Sequence, residues 1–323
     1  MNRLARGLAL ASVVLASFAA GDAGAESYPT KPVHMVVPFP PGGATDVIAR
    51  LVQQKLHEIW GQPIILDYKP GAGTVIGTDA VAKAEPDGYT MGIVITAHVL
   101  NPSLRKDLPY DTQKDLAGVS MMSISHIAIA ATNSLPANNL AELIAYAKKN
   151  PGKLNYASPG AGTAMHLAGE LLNSRAGISI QHVAYRGGAP AYPDLMSGRI
   201  ELQIDPMHAI MPHIQTGKVK AIAITSPERA ATAPNIPTAS ETIPGLNVQS
   251  ISGMVVPSAT PRPIVNQISA AIGQALRAPE LREKMLAAGM EPSPSTPEQF
   301  DDFIRTEIVK WAEVVKNSGM TLD

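Results

Sequence analysis

Val33-His34-Met35-Val36-Val37-Pro38-Phe39-Pro40-Pro41-Gly42-Gly43-Ala44-Thr45-Asp46 is the stretch from which the rest of the chain is read. A short apolar run ends at a proline and a Gly-Gly turn follows. Ile48, Leu51, Val52, Leu56 and Ile59 then fall at helical spacing until Gly61 stops the helix. The order repeats in strand 64–67, the loop Pro70-Gly71-Ala72-Gly73-Thr74, helix 75–84, an Asp87-Gly88 turn and strand 89–95. The loop pentapeptide itself returns as Pro159-Gly160-Ala161-Gly162-Thr163, between strand 154–157 and helix 163–174. Alternation of this kind predicts parallel sheets with helices on their faces.

A second αβ series starts at strand 127–130 and helix 139–149. After helix 163–174 it continues through strand 180–184, a helix near 189–197, strand 200–204, a helix near 208–216 and strand 219–224. An extended run, 248–256, and three helices complete the chain. The last helix opens at Thr296-Pro297-Glu298-Gln299, which combines an N-cap threonine, proline at the first helical position and glutamine three residues on. Its apolar stripe, Phe300, Phe303, Ile304, Ile308, Trp311 and Val315, suits a core face or a brace across the back of a lobe.

Composition narrows the class. Arg3 and Arg6 precede an apolar stretch, 8–20, and Ala23-Gly24-Ala25 offers a small-x-small cleavage site, so residues 1–25 read as a secretory signal. Residues 26–323 would remain, enough for two domains of about 100–200 residues each. Losing Arg3, Arg6 and Asp22 moves the balance from 26 basic and 27 acidic side chains to 24 and 26, a net charge of −2. That charge, with no basic stripe, argues against nucleic acid. Cysteine is absent, which excludes disulfides and a lipid-anchored N-terminus. No Gly-x-Ser-x-Gly elbow, Gly-Lys-Ser/Thr phosphate loop or zinc-type histidine pair supports an enzyme, and neither cofactor nor metal is expected.

The glycine loops carry the chemistry. Glycine lets the backbone come close to a ligand, and a helix start leaves up to four N–H groups unpaired, where an anion is favoured. Charge-assisted bonds of this type contribute roughly 1.5–3 kcal/mol each, so a few could reach the about −8.2 kcal/mol of micromolar binding without an arginine. A plain strand-to-helix turn is the competing reading of these loops, most strongly for the one at Gly71.

Tyr28-Pro29-Thr30-Lys31-Pro32-Val33 followed by Val37 to Asp46 resembles the Bug-type extracytoplasmic solute receptors, the substrate-binding proteins of tripartite tricarboxylate transporters. Pro86-Asp87-Gly88-Tyr89-Thr90, Asn150-Pro151-Gly152-Lys153-Leu154-Asn155-Tyr156, Tyr185-Arg186-Gly187-Gly188 and Pro257-Ser258-Ala259-Thr260-Pro261 extend the resemblance along the chain. It implies a two-lobed α/β periplasmic binding protein fold of type II-like topology, each lobe a mainly parallel sheet flanked by helices. Lobe 1 would comprise 26–124 with 249–323 and lobe 2 would comprise 125–248, with crossovers near Ser125 and Val248. A monomer in the periplasm is expected, with membrane permease subunits as partners and a small carboxylate as ligand.

The family's ligand contacts, carried over by motif, fall in lobe 1 on Pro40, Gly42, Gly43, Ala44 and Thr45, with Thr74 and Thr96. In lobe 2 they fall on Ser158, Gly160, Ala161, Gly162 and Thr163, with Tyr185, Gly187 and Asp205. Where relatives commonly have Phe-Asp-Asn, this chain has Ile204-Asp205-Pro206, and proline donates no N–H. Asp205 has two readings, a structural carboxylate or the partner of a ligand ammonium. Asp46 reads as a helix-start acid. The liganded receptor could serve a permease or a signalling protein, since both would use the same closed surface. Intact mass of the exported protein is expected to place its first residue at Glu26; a mass that retains residues 1–25 would refute the signal reading.

Overall fold

The computed structural model describes residues 28–230 and 232–318, so the expected signal and its cleavage site lie outside the described residues. In chain order the elements are β1 (Val33–Val37), α1 (Ala44–Trp60), β2 (Ile64–Tyr68), α2 (Val75–Ala82), β3 (Thr90–Ile95), α3 (Ala97–Leu104), β4 (Leu116–Ser125) and β5 (Ile127–Ala131). There follow α4 (Leu140–Lys149), β6 (Asn155–Ser158), α5 (Ala164–Ala176), β7 (Gln181–Ala184), α6 (Tyr192–Ser197), β8 (Leu202–Pro206), α7 (Met207–Gln215) and β9 (Lys220–Ile224). The chain ends with β10 (Ser250–Pro257), α8 (Arg262–Arg277), α9 (Pro279–Ala287), β11 (Met290–Pro292) and α10 (Pro297–Ser318).

Two sheets result, ordered β11-β4-β10-β3-β1-β2 and β7-β6-β8-β5-β9. They are mixed, which corrects the expectation of mainly parallel sheets. β1 pairs parallel with β2 and β3, and β6 with β7 and β8, as strand-helix-strand units require. The strands that carry the chain between lobes run the other way: β10 lies antiparallel to β3 and β4, and β5 lies antiparallel to β8 and β9.

Each lobe is built on the apolar periodicity. In α1, Ile48, Ala49, Val52 and Leu56 are buried against the first sheet, and Gly61 ends the helix at φ 65°, donating its N–H to His57 O at 2.8 Å. β1 buries Val33, Met35, Val36 and Val37, as a strand covered on both faces must. α10 opens as its capping box demands: Thr296 N–H donates to Gln299 Oε1 at 2.9 Å, and Gln299 N–H donates to Thr296 Oγ1 at 3.2 Å. Its stripe packs on α3 and β4, with Phe300 fully buried.

Two glycines admit that helix. A Cβ on Gly253 of β10 would fall 2.1 Å from Phe300 Cζ, and one on Gly118 of β4 would fall 2.6 Å from Asp301 Oδ1, which accepts the Gly118 N–H at 2.7 Å. Gly253→Ala is therefore expected to destabilise the fold by about 1–3 kcal/mol, the usual cost of overpacking a filled core. Urea unfolding measures this, and a loss below about 0.5 kcal/mol would show that Phe300 is not held against the strand.

Candidate ligand-binding site

The start of α1 is arranged around Asp46. Gly42, at φ 89°, donates its N–H to Asp46 Oδ2 at 2.8 Å. Tyr68 Oη–H donates to the other carboxylate oxygen at 2.6 Å, and Arg50 Nε–H donates at 3.0 Å. Burial opposes ionisation of this carboxyl, but the bonds from Tyr68, Gly42 and Arg50 outweigh it and hold Asp46 below the usual carboxylate range. The Gly42 amide is thus occupied from within. Gly43 is the N-cap, in extended backbone at φ −94°, so the positive φ of this turn belongs to Gly42. The N–H groups of Gly43, Ala44 and Thr45 make no hydrogen bond among the described residues.

In the second Pro-Gly-Ala-Gly-Thr loop the N–H groups of Gly160, Gly162 and Thr163 are bonded from within, while that of Ala161 makes no hydrogen bond among the described residues. Gly160 N–H donates to Ser158 Oγ at 3.1 Å and Gly162 N–H donates to His166 Nδ1 at 3.3 Å. Thr163 Oγ1 donates to Gly160 O at 2.8 Å while accepting the His166 N–H at 3.3 Å. Beneath the loop the rings of Tyr156, His182 and His166 stack, with centroids 4.9 and 4.0 Å apart. Burial depresses the His166 imidazole, and burial with the neighbouring His166 holds His182 at about 3, so both are neutral at pH 7. His166 Nδ1 is thereby free to accept.

The two repeats meet across the cleft. A Cβ on Gly73 would fall 2.3 Å from Ala161 O, and one on Gly160 would fall 3.9 Å from Gly73 Cα. Asn101 Nδ2–H donates to Gly73 O at 3.3 Å and steadies the first loop. A second contact brings Gly187 against Pro40, where a Cβ would lie 3.1 Å from the proline Cδ. His208 Nε2 also lies 3.3 Å from Ala44 O. The lobes are closed upon one another.

Between them lies a cavity. Lobe 1 contributes Phe39, Pro40, Gly43, Ala44 and Thr45 at the start of α1, and lobe 2 contributes Gly187, Gly188, Ala189, Asp205 and His208. Ser123 and Ser125 of β4, with Ser250 and Ser252 of β10, add hydroxyls from the strands that join the lobes. No lysine or arginine is among the lining residues.

Of the expected contacts, Pro40, Gly43, Ala44, Thr45, Gly187 and Asp205 line this cavity. The others lie beside it. Gly42 is engaged by Asp46, and Thr96 Oγ1 accepts the Ile251 N–H at 3.0 Å. Tyr185 Oη–H donates to Asp194 Oδ2 at 2.7 Å. Thr74, Ser158, Gly160, Ala161, Gly162 and Thr163 belong to the two touching loops. Sequence reasoning missed Phe39, Gly188, Ala189, His208 and the four serines. The serines had a signal, since 123/125 and 250/252 are spaced to share a strand face.

Asp205 is the one acidic group in the lining, and its residue is 1% exposed. Its Oδ2 accepts from Tyr192 Oη–H at 2.7 Å and from Gln203 Nε2–H at 3.1 Å, while Oδ1 has no partner. Burial pushes its pKa up to about 7, and the bonds from Tyr192 and Gln203 only partly offset this. A Cβ on Gly188 would fall 2.1 Å from Oδ2, so only glycine fits over the carboxyl.

The meeting of the repeats makes a specific expectation. Gly73→Ala adds a methyl where a backbone oxygen stands, so ligand should no longer close the lobes, and affinity should fall at least ten-fold. Gly177→Ala is the control, because Gly177 has nearly the same backbone (φ 60° against 61°) and open space around it. Small-angle scattering and calorimetry on both variants decide this, and equal behaviour of the two would remove any role for the contact.

Comparison with known proteins agrees with this geometry. The chain is 36% identical to protein BugT of Bordetella pertussis over 306 residues, 94% of each chain. Its structure superposes with a TM-score of 0.88 on an adipate-bound protein of R. palustris, 32% identical and covering 91% of this chain and 99% of the other. MatC of Rhodopseudomonas palustris with bound malate follows at a TM-score of 0.84 and 31% identity, covering 89% and 100%. Residues 48–320 match the tripartite tricarboxylate transporter family receptor, and the chain belongs to that family of periplasmic solute-binding proteins.

Proposed function

We propose that this protein is an exported receptor that captures a small carboxylate between its lobes and delivers it to the membrane permease of a tripartite tricarboxylate-type transporter. The observation that carries the reading is the start of α1, where three consecutive residues that line a cavity, Gly43, Ala44 and Thr45, have N–H groups without partners. A 17-residue helix adds its positive end to the same point. Three charge-assisted bonds at roughly 1.5–3 kcal/mol each are comparable with the about −8.2 kcal/mol of micromolar binding, before ordering costs. Two relatives hold adipate and malate, both small carboxylates, which supports the reading. In this reading the hinge lies at the crossovers near Ser125 and Val248, and export follows removal of residues 1–25.

Capture by closure has a measurable signature. A bound carboxylate is expected to reduce the radius of gyration in small-angle scattering and to give a saturable heat in calorimetry. Binding without any change in scattering would place the ligand outside the cleft, and turnover of a bound acid would make the protein an enzyme.

A further inference from the structure

Two polar atoms at the β8 to α7 junction are buried, lack partners, and belong to side chains that line the cavity: Asp205 Oδ1 and His208 Nδ1. His208 fixes its own tautomer. Its Nε2 lies 3.3 Å from Ala44 O, which can only accept, so the ring proton sits on Nε2 and Nδ1 presents a lone pair. Burial holds this imidazole at about 4, so it stays neutral and remains an acceptor at pH 7. Asp205 already receives two donors on Oδ2, which leaves Oδ1 as the carboxyl oxygen without one. No lining lysine or arginine answers either group.

We propose that the ligand is a carboxylate whose second polar group is a hydrogen-bond donor, an ammonium or a hydroxyl, received by Asp205 Oδ1 and His208 Nδ1. This rests on the reading that the carboxylate binds at the start of α1, and it assigns the far end. A second carboxylate there would meet the His208 Nδ1 lone pair and, wherever Asp205 is ionised, a like charge, with the serine hydroxyls and the N–H groups of Gly188 and Ala189 left to offset both. An ammonium has N–H bonds enough for both atoms, whereas a hydroxyl has one O–H and serves one of them. With an ammonium ligand, Asp205 ionises as the ion pair forms and a proton leaves the complex.

Calorimetry at pH 7 with three four-carbon acids, 4-aminobutyrate, 4-hydroxybutyrate and succinate, tests the assignment. At least one donor-ended acid is expected to bind ten-fold or more tightly than succinate. Heats measured in buffers of different ionisation enthalpy should show proton release when 4-aminobutyrate binds. Asp205→Asn, checked for folding by circular dichroism, should weaken 4-aminobutyrate at least ten-fold while changing succinate little or improving it. Succinate binding as tightly as both other acids overturns the inference and leaves the carboxylate reading standing, as does a uniform loss in a folded Asp205→Asn. If none of the three acids binds, the carboxylate reading falls and takes the inference with it. Should Asp205→Asn fail to fold, the wild-type ranking and its proton release still decide.

Discussion

Main-chain pairing between β4 and β10 is the constraint on which the rest depends. The two strands run antiparallel through the first sheet, with Ser125 opposite Ser250 and Ser123 opposite Ser252. Beyond β4 a single residue, His126, separates the first sheet from β5 of the second. The return passage is strapped to the outward one: Thr225 N–H donates to Ile127 O at 2.8 Å, and Val248 N–H donates to Thr225 O at 2.8 Å. Thr225 Oγ1–H adds a bond to Val248 O at 2.6 Å. With both passages tied together, this strand pair is the joint between the two sheets, and its serines line the cavity between them.

Electrostatics in the cleft follow from which donors are already occupied. Asp46 takes the Gly42 amide, and Ser158 and His166 take those of Gly160 and Gly162. Among the lining residues, the N–H groups of Gly43, Ala44 and Thr45 stay unpaired on one side, and on the other so do the acceptors Asp205 Oδ1 and His208 Nδ1 together with the N–H groups of Met165, Gly188 and Ala189. The cavity's polarity comes mainly from backbone and neutral side chains, which cost little to desolvate beside a lysine or arginine.

Much of this was legible before the structure. Strand-loop-helix order follows from apolar periodicity with glycine and proline as punctuation, and the Thr296 to Gln299 capping box marks its helix start to the residue. β4 was not legible, because its serines and methionines show no alternation. Those serines are buried by pairing: Ser123 Oγ bonds Ser252 Oγ at 2.7 Å, and Ser120 Oγ–H donates to Met121 O at 2.7 Å. α3 was hidden by Pro102 within it. The start of α1 was recognised as a candidate site, and the repeated pentapeptide was read as a second one without any sign of the contact its two copies make. Gly73 and Gly160 stand at a close approach between lobes, and a glycine needed for approach to a ligand looks the same in sequence as one needed for approach to another loop.

That approach has a further consequence. Lobes that touch backbone to backbone at Gly73 and Ala161 have no soft side chain between them to compress, so the shut form has a hard stop. Acids of different length that fit inside would bring the halves to one common spacing. The outer face then advertises occupancy and conceals cargo, and any protein that reads this face receives a yes-or-no message, with chemical discrimination left to the interior.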